Sequence, residues 1–265
     1  MKKLFLPLVM IITCITLCSC FRNPVTGRSS INLVDEASVR QQATASYSSF
    51  LSTNKAVTGT PDAVIVSRVG NKMASAVQKY LAQIGKSDLI AGYQWEFNLV
   101  NSNEVNAFCM PGGKVVVYSG IMPVANGEAG LAVIMGHEIA HAVARHGNER
   151  MSQALIADAG GMTLSALLSS KPQQAQQLFN SAYAVGSTLT VLKYSRTHES
   201  EADEMGLYFM AMAGYHPNEA VTFWQRMASK GGTKPPEFLS THPSDASRIQ
   251  DIQHKIPQAL QYYRP

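Results

Sequence analysis

The clearest chemistry sits mid-chain, in Gly136-His137-Glu138-Ile139-Ala140-His141, which contains the pattern H-E-x-x-H. The segment from Gly127 to Met151 reads as one long helix. Two histidines four positions apart on a helix leave the same face, about one turn apart. Two neutral imidazoles so placed can bind one zinc ion. Glu138 adjoins the first of them, where its carboxylate can take a proton from a water at the zinc. The competing reading, a solvated helix face that happens to carry two histidines and a glutamate, fits poorly with the apolar residues on either side.

Two histidines need a third protein ligand. A histidine in the extended pattern H-E-x-x-H-x-x-G-x-x-H would require glycine at 144 and histidine at 147. The chain has Ala144 and Gly147 instead. His146 is one position off, and on a continuous helix it falls on roughly the opposite face from His141. It therefore reads as a packing or surface residue. A later acidic cluster, Glu199-Ser200-Glu201-Ala202-Asp203, offers carboxylates. Glu199 and Asp203, four apart, share a face. Glu199 is the candidate third ligand, and Asp203 can accept the second N–H of a ligand histidine. Glu201 points away from that face. Taken alone, the cluster reads better as the solvated start of a helix; the H-E-x-x-H motif tips the reading toward metal.

The elements that must position these residues follow from local pattern. Asp35 opens a polar helix to about Leu51, expected on the outside. Thr60-Pro61-Asp62 opens a stronger helix ending near Gly85, with proline well placed in the first turn. Its apolar residues, among them Val66, Val69, Met73, Val77 and Tyr80, recur at helical spacing. Tyr93 to Val100 alternates apolar and polar as a half-buried strand does. Val105–Met110 and Lys114–Ser119 read as two more strands around the turn Pro111-Gly112-Gly113. Strand-turn-strand immediately before the zinc helix predicts a small antiparallel sheet packed on it, in an α+β, mainly helical fold.

After the zinc helix, residues 152–192 are rich in Ala, Ser, Gly, Leu and Gln, with Asp158 and Lys171 their only charges. They read either as a mobile helical hairpin, serving as a lid or a membrane-facing element, or as an ordinary buried helical pair. Thr197 is the expected cap of a helix running from His198 to about Gly214. Pro217 opens another, to about Met227. Leu239–Pro243 reads as a turn, and a last helix starts at Ser244 or Asp245.

Of 265 residues, 46% are hydrophobic and 15% charged, which suits a folded core. The net charge of +4 carries no dense Lys/Arg run, so nucleic acid is not an expected partner. Lys2 and Lys3 precede an apolar run from Leu4 to Leu17 that is too short for a membrane span. With Leu17-Cys18-Ser19-Cys20 after it, the segment reads as a signal peptide. Leu-x-Ser-Cys resembles a bacterial lipobox, which implies cleavage before Cys20 and lipid on that residue; an ordinary signal peptide cut nearby is the alternative. The domain reading is then 1–19 signal peptide, 20–34 lipidated tether and 35–265 one domain. Cys109 is left without a disulfide partner and reads as a small core or site-wall residue.

The chain also contains Asn106-Ala107-Phe108, Pro111-Gly112-Gly113, Tyr118-Ser119-Gly120, Arg145-His146 after the histidine pair, and Thr241-His242-Pro243 followed by Arg248. Together with H-E-x-x-H and Glu199–Asp203, these resemble, in order, the HtpX-like and CAAX-prenyl-endopeptidase-like zinc metallopeptidases, a membrane-associated gluzincin family. The likeness is strongest to a lipid-anchored periplasmic branch. The resemblance implies that His137, His141 and Glu199 hold one zinc ion, that Glu138 is the general base, and that Asp203 supports a ligand or donates a proton. It implies that Asn106, Ala107 and Phe108 lie on a sheet edge that pairs with extended substrate, a mode that suits an exposed edge. His242 would stabilise the oxyanion or fill the fourth zinc position, unless it is an ordinary loop histidine. The expected function is a zinc endopeptidase of the bacterial cell envelope acting on misassembled proteins. Protein substrates, outer-membrane proteins and the membrane are its expected partners, and the outer membrane its expected location. The competing expectation is a non-enzymatic, zinc-containing envelope chaperone or adaptor.

Overall fold

The computed structural model describes residues 20–158, 179, 194–230, 237–242 and 246–265. The chain starts with a ribbon, β1 (Cys20–Arg22) paired antiparallel with β2 (Ser29–Ile31). Then come α1 (Glu36–Thr53), β3 (Ala56–Val57), α2 (Pro61–Gln83), β4 (Glu96–Val100), β5 (Ala107–Met110) and β6 (Lys114–Tyr118). A short α3 (Met122–Ala125) leads into α4 (Glu128–Val143) and α5 (His146–Asp158). The remaining described helices are α6 (Arg196–Met212), α7 (Glu219–Ser229), α8 (Glu237–Thr241) and α9 (Ala246–Ala259).

The larger sheet has the order β3-β4-β6-β5. The β5–β6 hairpin is antiparallel, as the sequence predicts, but β4 and β6 run parallel, so the sheet is mixed. The reason is topological: the chain between β4 and β5 crosses over, so β6 returns alongside β4 in the same direction. β6 is buried along its whole length. Its side chains alternate between two cores, as strand geometry requires. Val115 and Val117 face the main core with α2, α4 and α6. Val116 and Tyr118 face a smaller core with Val39, Tyr47 and Phe50 of α1. That smaller core is how the largely polar α1 stays attached to the far side of the sheet.

Local chemistry accounts for the helix ends. The Asp35 side chain accepts from the Ser38 backbone at the start of α1. Thr60 does the same for Ala63 at α2, with Pro61 in the first turn. α2 ends where Gly85 takes φ +66, and Lys86 N–H donates to the Leu81 carbonyl at 2.7 Å, an arrangement that satisfies terminal carbonyls.

Several boundaries differ from expectation. The zinc-helix segment is two helices, not one, because the chain breaks at Ala144-Arg145, where Arg145 takes φ 57. Ser195, not Thr197, caps α6, in a reciprocal box with His198. Leu239–Thr241 belongs to α8 rather than a turn, because Phe238 is fully buried and anchors that helix in the core. The expected tether is packed: Phe21 and Asn23 are buried, so no break in packing coincides with residue 35. The expected signal peptide at 1–19 lies outside the described residues, as do Pro243 and most of the expected hairpin at 152–192.

Candidate active site

α4 is apolar on nearly every side and lies buried through the middle of the molecule, as a helix hydrophobic all round must. It crosses α6 at a pair of glycines. A Cβ on Gly136 would meet the Gly206 carbonyl oxygen at 3.0 Å, and one on Gly206 would meet the His137 backbone nitrogen at 3.0 Å. This close approach puts the acidic face of α6 directly against the histidine face of α4. Glu199 and Asp203 are both buried there, although carboxylates are rarely buried without partners.

Four side chains converge. His137 Nε2 and His141 Nε2 are 3.0 Å apart, and His242 Nδ1 lies 3.0 Å from His137 Nε2. Glu199 Oε1 lies 3.1 Å from His242 Nδ1 and 3.5 Å from His141 Nε2. One ligand atom from each of His137, His141, Glu199 and His242 falls within 4.8 Å of the others. Imidazole lone pairs and a carboxylate pointed at one another repel unless a cation sits among them. The donor set of three nitrogens and a carboxylate oxygen is zinc chemistry. The cluster therefore fits one zinc ion, with no Cys involved. Cys109 is buried, and burial raises its thiol well above the ordinary range, consistent with the wall residue the sequence suggests.

Each histidine on α4 has its other ring nitrogen engaged. His137 Nδ1 meets Asp203 Oδ1 at 3.0 Å. Arg248 of α9 grips both Asp203 oxygens, Nε to Oδ2 and Nη2 to Oδ1, each at 2.8 Å. The guanidinium also lies 3.5 Å over the Trp224 ring and places Nη1 2.9 Å from Glu199 Oε2 without hydrogen-bond geometry. His141 Nδ1 meets His146 Nδ1 at 2.9 Å. That contact corrects the sequence reading of His146: the break at Arg145 turns it back toward His141, and it is fully buried rather than on an opposite face. Glu201, as expected, is not in the metal cluster; it accepts from His146 Nε2 at 3.1 Å.

Glu138 is buried, and its Oε1 accepts no hydrogen bond among the described residues, with His242 Nε2 nearest at 3.3 Å. Burial raises its pKa, which moves a carboxylate toward the range of a general base. The other groups divide by neighbour. Burial opposes ionisation of Glu199, but His242 and Arg248 hold it well below the usual carboxylate range. Burial likewise opposes charge on His137, yet Glu199 and Asp203 outweigh it and lift its pKa to about 9. His141 is pushed well below its ordinary value, chiefly by burial.

Asn106, Ala107 and Phe108 lie where β5 forms the outer strand of the sheet among the described residues, against α4. Asn106 Oδ1 accepts from Ala107 N–H at 2.9 Å, and Phe108 packs edge-on against Phe50. The Val105 carbonyl just before the strand accepts from Phe238 N–H at 3.2 Å, tying the helix next to His242 to the same edge. A cleft of about 110 Å³ opens beside the cluster, lined by Tyr194, Glu199, Arg248 and Asp251 among others. Tyr194, which the sequence did not single out, stacks on His141 with ring centres 3.8 Å apart.

Comparison with known proteins places the chain in a family. Mitochondrial metalloendopeptidase OMA1 of Schizosaccharomyces pombe is 37% identical over 201 residues, covering 75% of this chain and 54% of that protein. The bovine OMA1 is 32% identical over 247 residues, 90% of this chain and 46% of its own length. The beta-barrel assembly-enhancing protease of Yersinia pestis is 32% identical over 169 residues, 62% of this chain and 35% of that protein. The chain thus spans about half the length, or less, of these relatives. The model of peptidase family M48 matches residues 69–256, a stretch that carries both the histidine pair on α4 and the acidic face of α6. On that match the chain belongs to peptidase family M48, a family of zinc metallopeptidases.

Proposed function

We propose that the chain is a zinc endopeptidase in which His137, His141 and Glu199 hold the metal and Glu138 is the base. The observation that carries this reading is Glu138 itself: a buried carboxylate whose Oε1 accepts no hydrogen bond among the described residues, on the next residue to a ligand histidine. A structural zinc site has no use for such a group. Zinc bound there would lower the pKa of a water toward neutrality and polarise the scissile carbonyl. Glu138 accepts the proton of the attacking water and returns it to the leaving amine. Asp203 holds the His137 ring, with Arg248 holding Asp203 in turn. The outer strand β5, through Asn106, Ala107 and Phe108, receives extended substrate backbone.

His242 supplies a fourth donor to the cluster, at 3.0 Å from His137 Nε2. Four protein donors close a zinc site, which also favours the competing reading of a non-catalytic zinc protein, an envelope chaperone or adaptor. We read His242 instead as a brake that must swing away before water and substrate enter. Digestion of casein separates the two. Glu138→Gln should abolish cleavage while zinc content stays at one per chain, and His242→Ala should raise cleavage. A wild-type protein that holds zinc and cleaves no unfolded substrate, with or without His242, would establish the non-catalytic reading.

The setting proposed is the bacterial envelope, with a role in quality control of misassembled proteins. Its support is the lipobox-like sequence before Cys20, the exposure of Cys20 at the start of β1, and relatives named for β-barrel assembly. The lipobox-like sequence assigns attachment to a lipid on Cys20, with the outer membrane as its location; among the described residues no helix is long and apolar enough to cross a membrane. In the same proposal 1–19 is a signal peptide, and 20–34 carries the lipid on Cys20 while its Phe21 and Asn23 pack into the domain of 35–265.

A further inference from the structure

We propose that Arg28, in the N-terminal ribbon, is a positioning residue for the zinc ligand His141, acting through Glu201 and His146. The inference rests on the reading of His141 as a ligand. A chain of buried polar contacts connects the two. His141 Nδ1 and His146 Nδ1 are 2.9 Å apart, and His146 Nε2 is 3.1 Å from Glu201 Oε2. Arg28 donates to the same oxygen from Nε at 3.0 Å and Nη2 at 2.8 Å. Thr26, in the same turn, donates to Glu201 Oε1 at 2.5 Å.

The direction of each hydrogen bond follows from the ends. If His141 binds metal through Nε2, its proton sits on Nδ1 and donates to His146 Nδ1. His146 must then carry its own proton on Nε2 and donate it to Glu201. Glu201 is acceptor only, and Arg28 is donor only. One tautomer satisfies every link. A partner on the far nitrogen of a ligand histidine fixes ring orientation and tautomer and raises ligand basicity. Here that partner is an imidazole, which needs a fixed carboxylate behind it, and the carboxylate is fixed from a segment 173 residues away in sequence.

The ribbon is built to present that arginine. Asn23 Oδ1 accepts from the backbone of Val25 and Thr26, which shapes the turn. Phe21 is buried in the core under Arg145. Arg28 also forks onto Glu149, Nη1 to Oε1 at 2.8 Å and Nη2 to Oε2 at 2.7 Å. Glu149 in turn meets His198, whose ring stacks on His146, so this second contact of Arg28 steadies the same relay from the side.

The test is zinc affinity of the full chain, measured by competition with a chromophoric chelator, with the melting temperature of each variant recorded alongside. Arg28→Ala should weaken zinc binding about tenfold or more, the usual cost of losing such a partner. In a His146→Ala background, where the connection is already cut, Arg28→Ala should lower the melting temperature yet leave zinc affinity unchanged. Equal losses of zinc affinity from Arg28→Ala in both backgrounds would show that Arg28 acts through general stability and overturn the proposal. So would an unchanged affinity in Arg28→Ala. Should that variant not fold, Arg28→Lys keeps the charge but cannot hold two carboxylates with one fork, and a wild-type zinc affinity there overturns the proposal equally. A wild-type chain that binds no zinc would instead refute the ligand assignment.

Discussion

The two histidines of α4 are held from behind in different ways. His137 rests directly on a carboxylate, Asp203, which an arginine grips with two hydrogen bonds. His141 rests on a neutral imidazole, and the carboxylate and arginine lie one link further out. Both relays end in arginine, but the first is assembled from α6 and α9, and the second reaches the N-terminal ribbon. Glu199 lies about equally near both rings, at 3.4 and 3.5 Å, so the groups that differ are Asp203 at His137 and the neighbouring imidazoles at His141. With Asp203 and Glu199 at hand, His137 is lifted to about 9 in spite of its burial. Without a carboxylate of its own in contact at Nδ1, His141 is pushed well below its ordinary value by burial. Two ligands of one type on one helix are therefore biased in opposite directions, His137 toward the charged form and His141 toward the neutral one.

The sharpest break in this comparison is to remove each arginine. Arg248 is buried between Asp203 and Glu199 and stacked on Trp224. Arg248→Ala strands a buried carboxylate pair, a loss of about 3–5 kcal/mol by the usual cost of breaking a buried ion pair. Arg28 is 28% exposed, and water can partly replace it at Glu149 and Glu201. Chemical denaturation of the two variants should place Arg248→Ala as much the less stable. Equal losses would mean that the outer relay is as much a part of the core as the inner one.

A second test concerns protonation. If His137 is charged near neutrality before metal enters, zinc must displace its proton. Between pH 7 and 9, below the His137 value of about 9, zinc affinity should then rise by up to about tenfold per pH unit. Calorimetry in buffers of different ionisation enthalpy should report close to one proton released per zinc at pH 7. Asp203→Asn removes the adjacent charge and should reduce that release. No release in the wild type would erase the electrostatic contrast between the two ligands.

The inner relay was legible in the sequence and the outer one was not. H-E-x-x-H and the i, i+4 spacing of Glu199 and Asp203 are periodic signals, and helix geometry turns them into a shared face. The glycine crossing that joins those faces leaves no such trace, since Gly136 and Gly206 matter only through each other. His146 was misplaced for a local reason. Alanine and arginine are good helix formers, so nothing at Ala144-Arg145 announces a left-handed residue, and Gly147 two positions later is the only hint. Arg28 carries no spacing signal, because its contact to Glu201 spans the whole domain. The sequence predicts an antiparallel sheet because hairpin patterns are local, whereas the β4–β6 pairing depends on a crossover.

The smallest expected effect lies at the outermost link, where Arg28 and His198 meet Glu149. Burial would raise the Glu149 pKa, but hydrogen bonds from Arg28 and His198 outweigh it and hold the carboxyl at about 2, against an ordinary 4.5. A carboxylate depressed in the folded state binds its proton first in the unfolded chain. Its stabilisation is thus complete above about pH 4.5 and is lost as pH falls toward 2. Urea unfolding of zinc-free protein should show the wild type losing stability across that window more steeply than Glu149→Gln. Above the window the order of stability favours the wild type, and the two curves should converge toward pH 2. Parallel curves would mean that Arg28 gains little from Glu149. The hold of Arg28 would then rest on Glu201 and, through it, on the side of the site that carries His141.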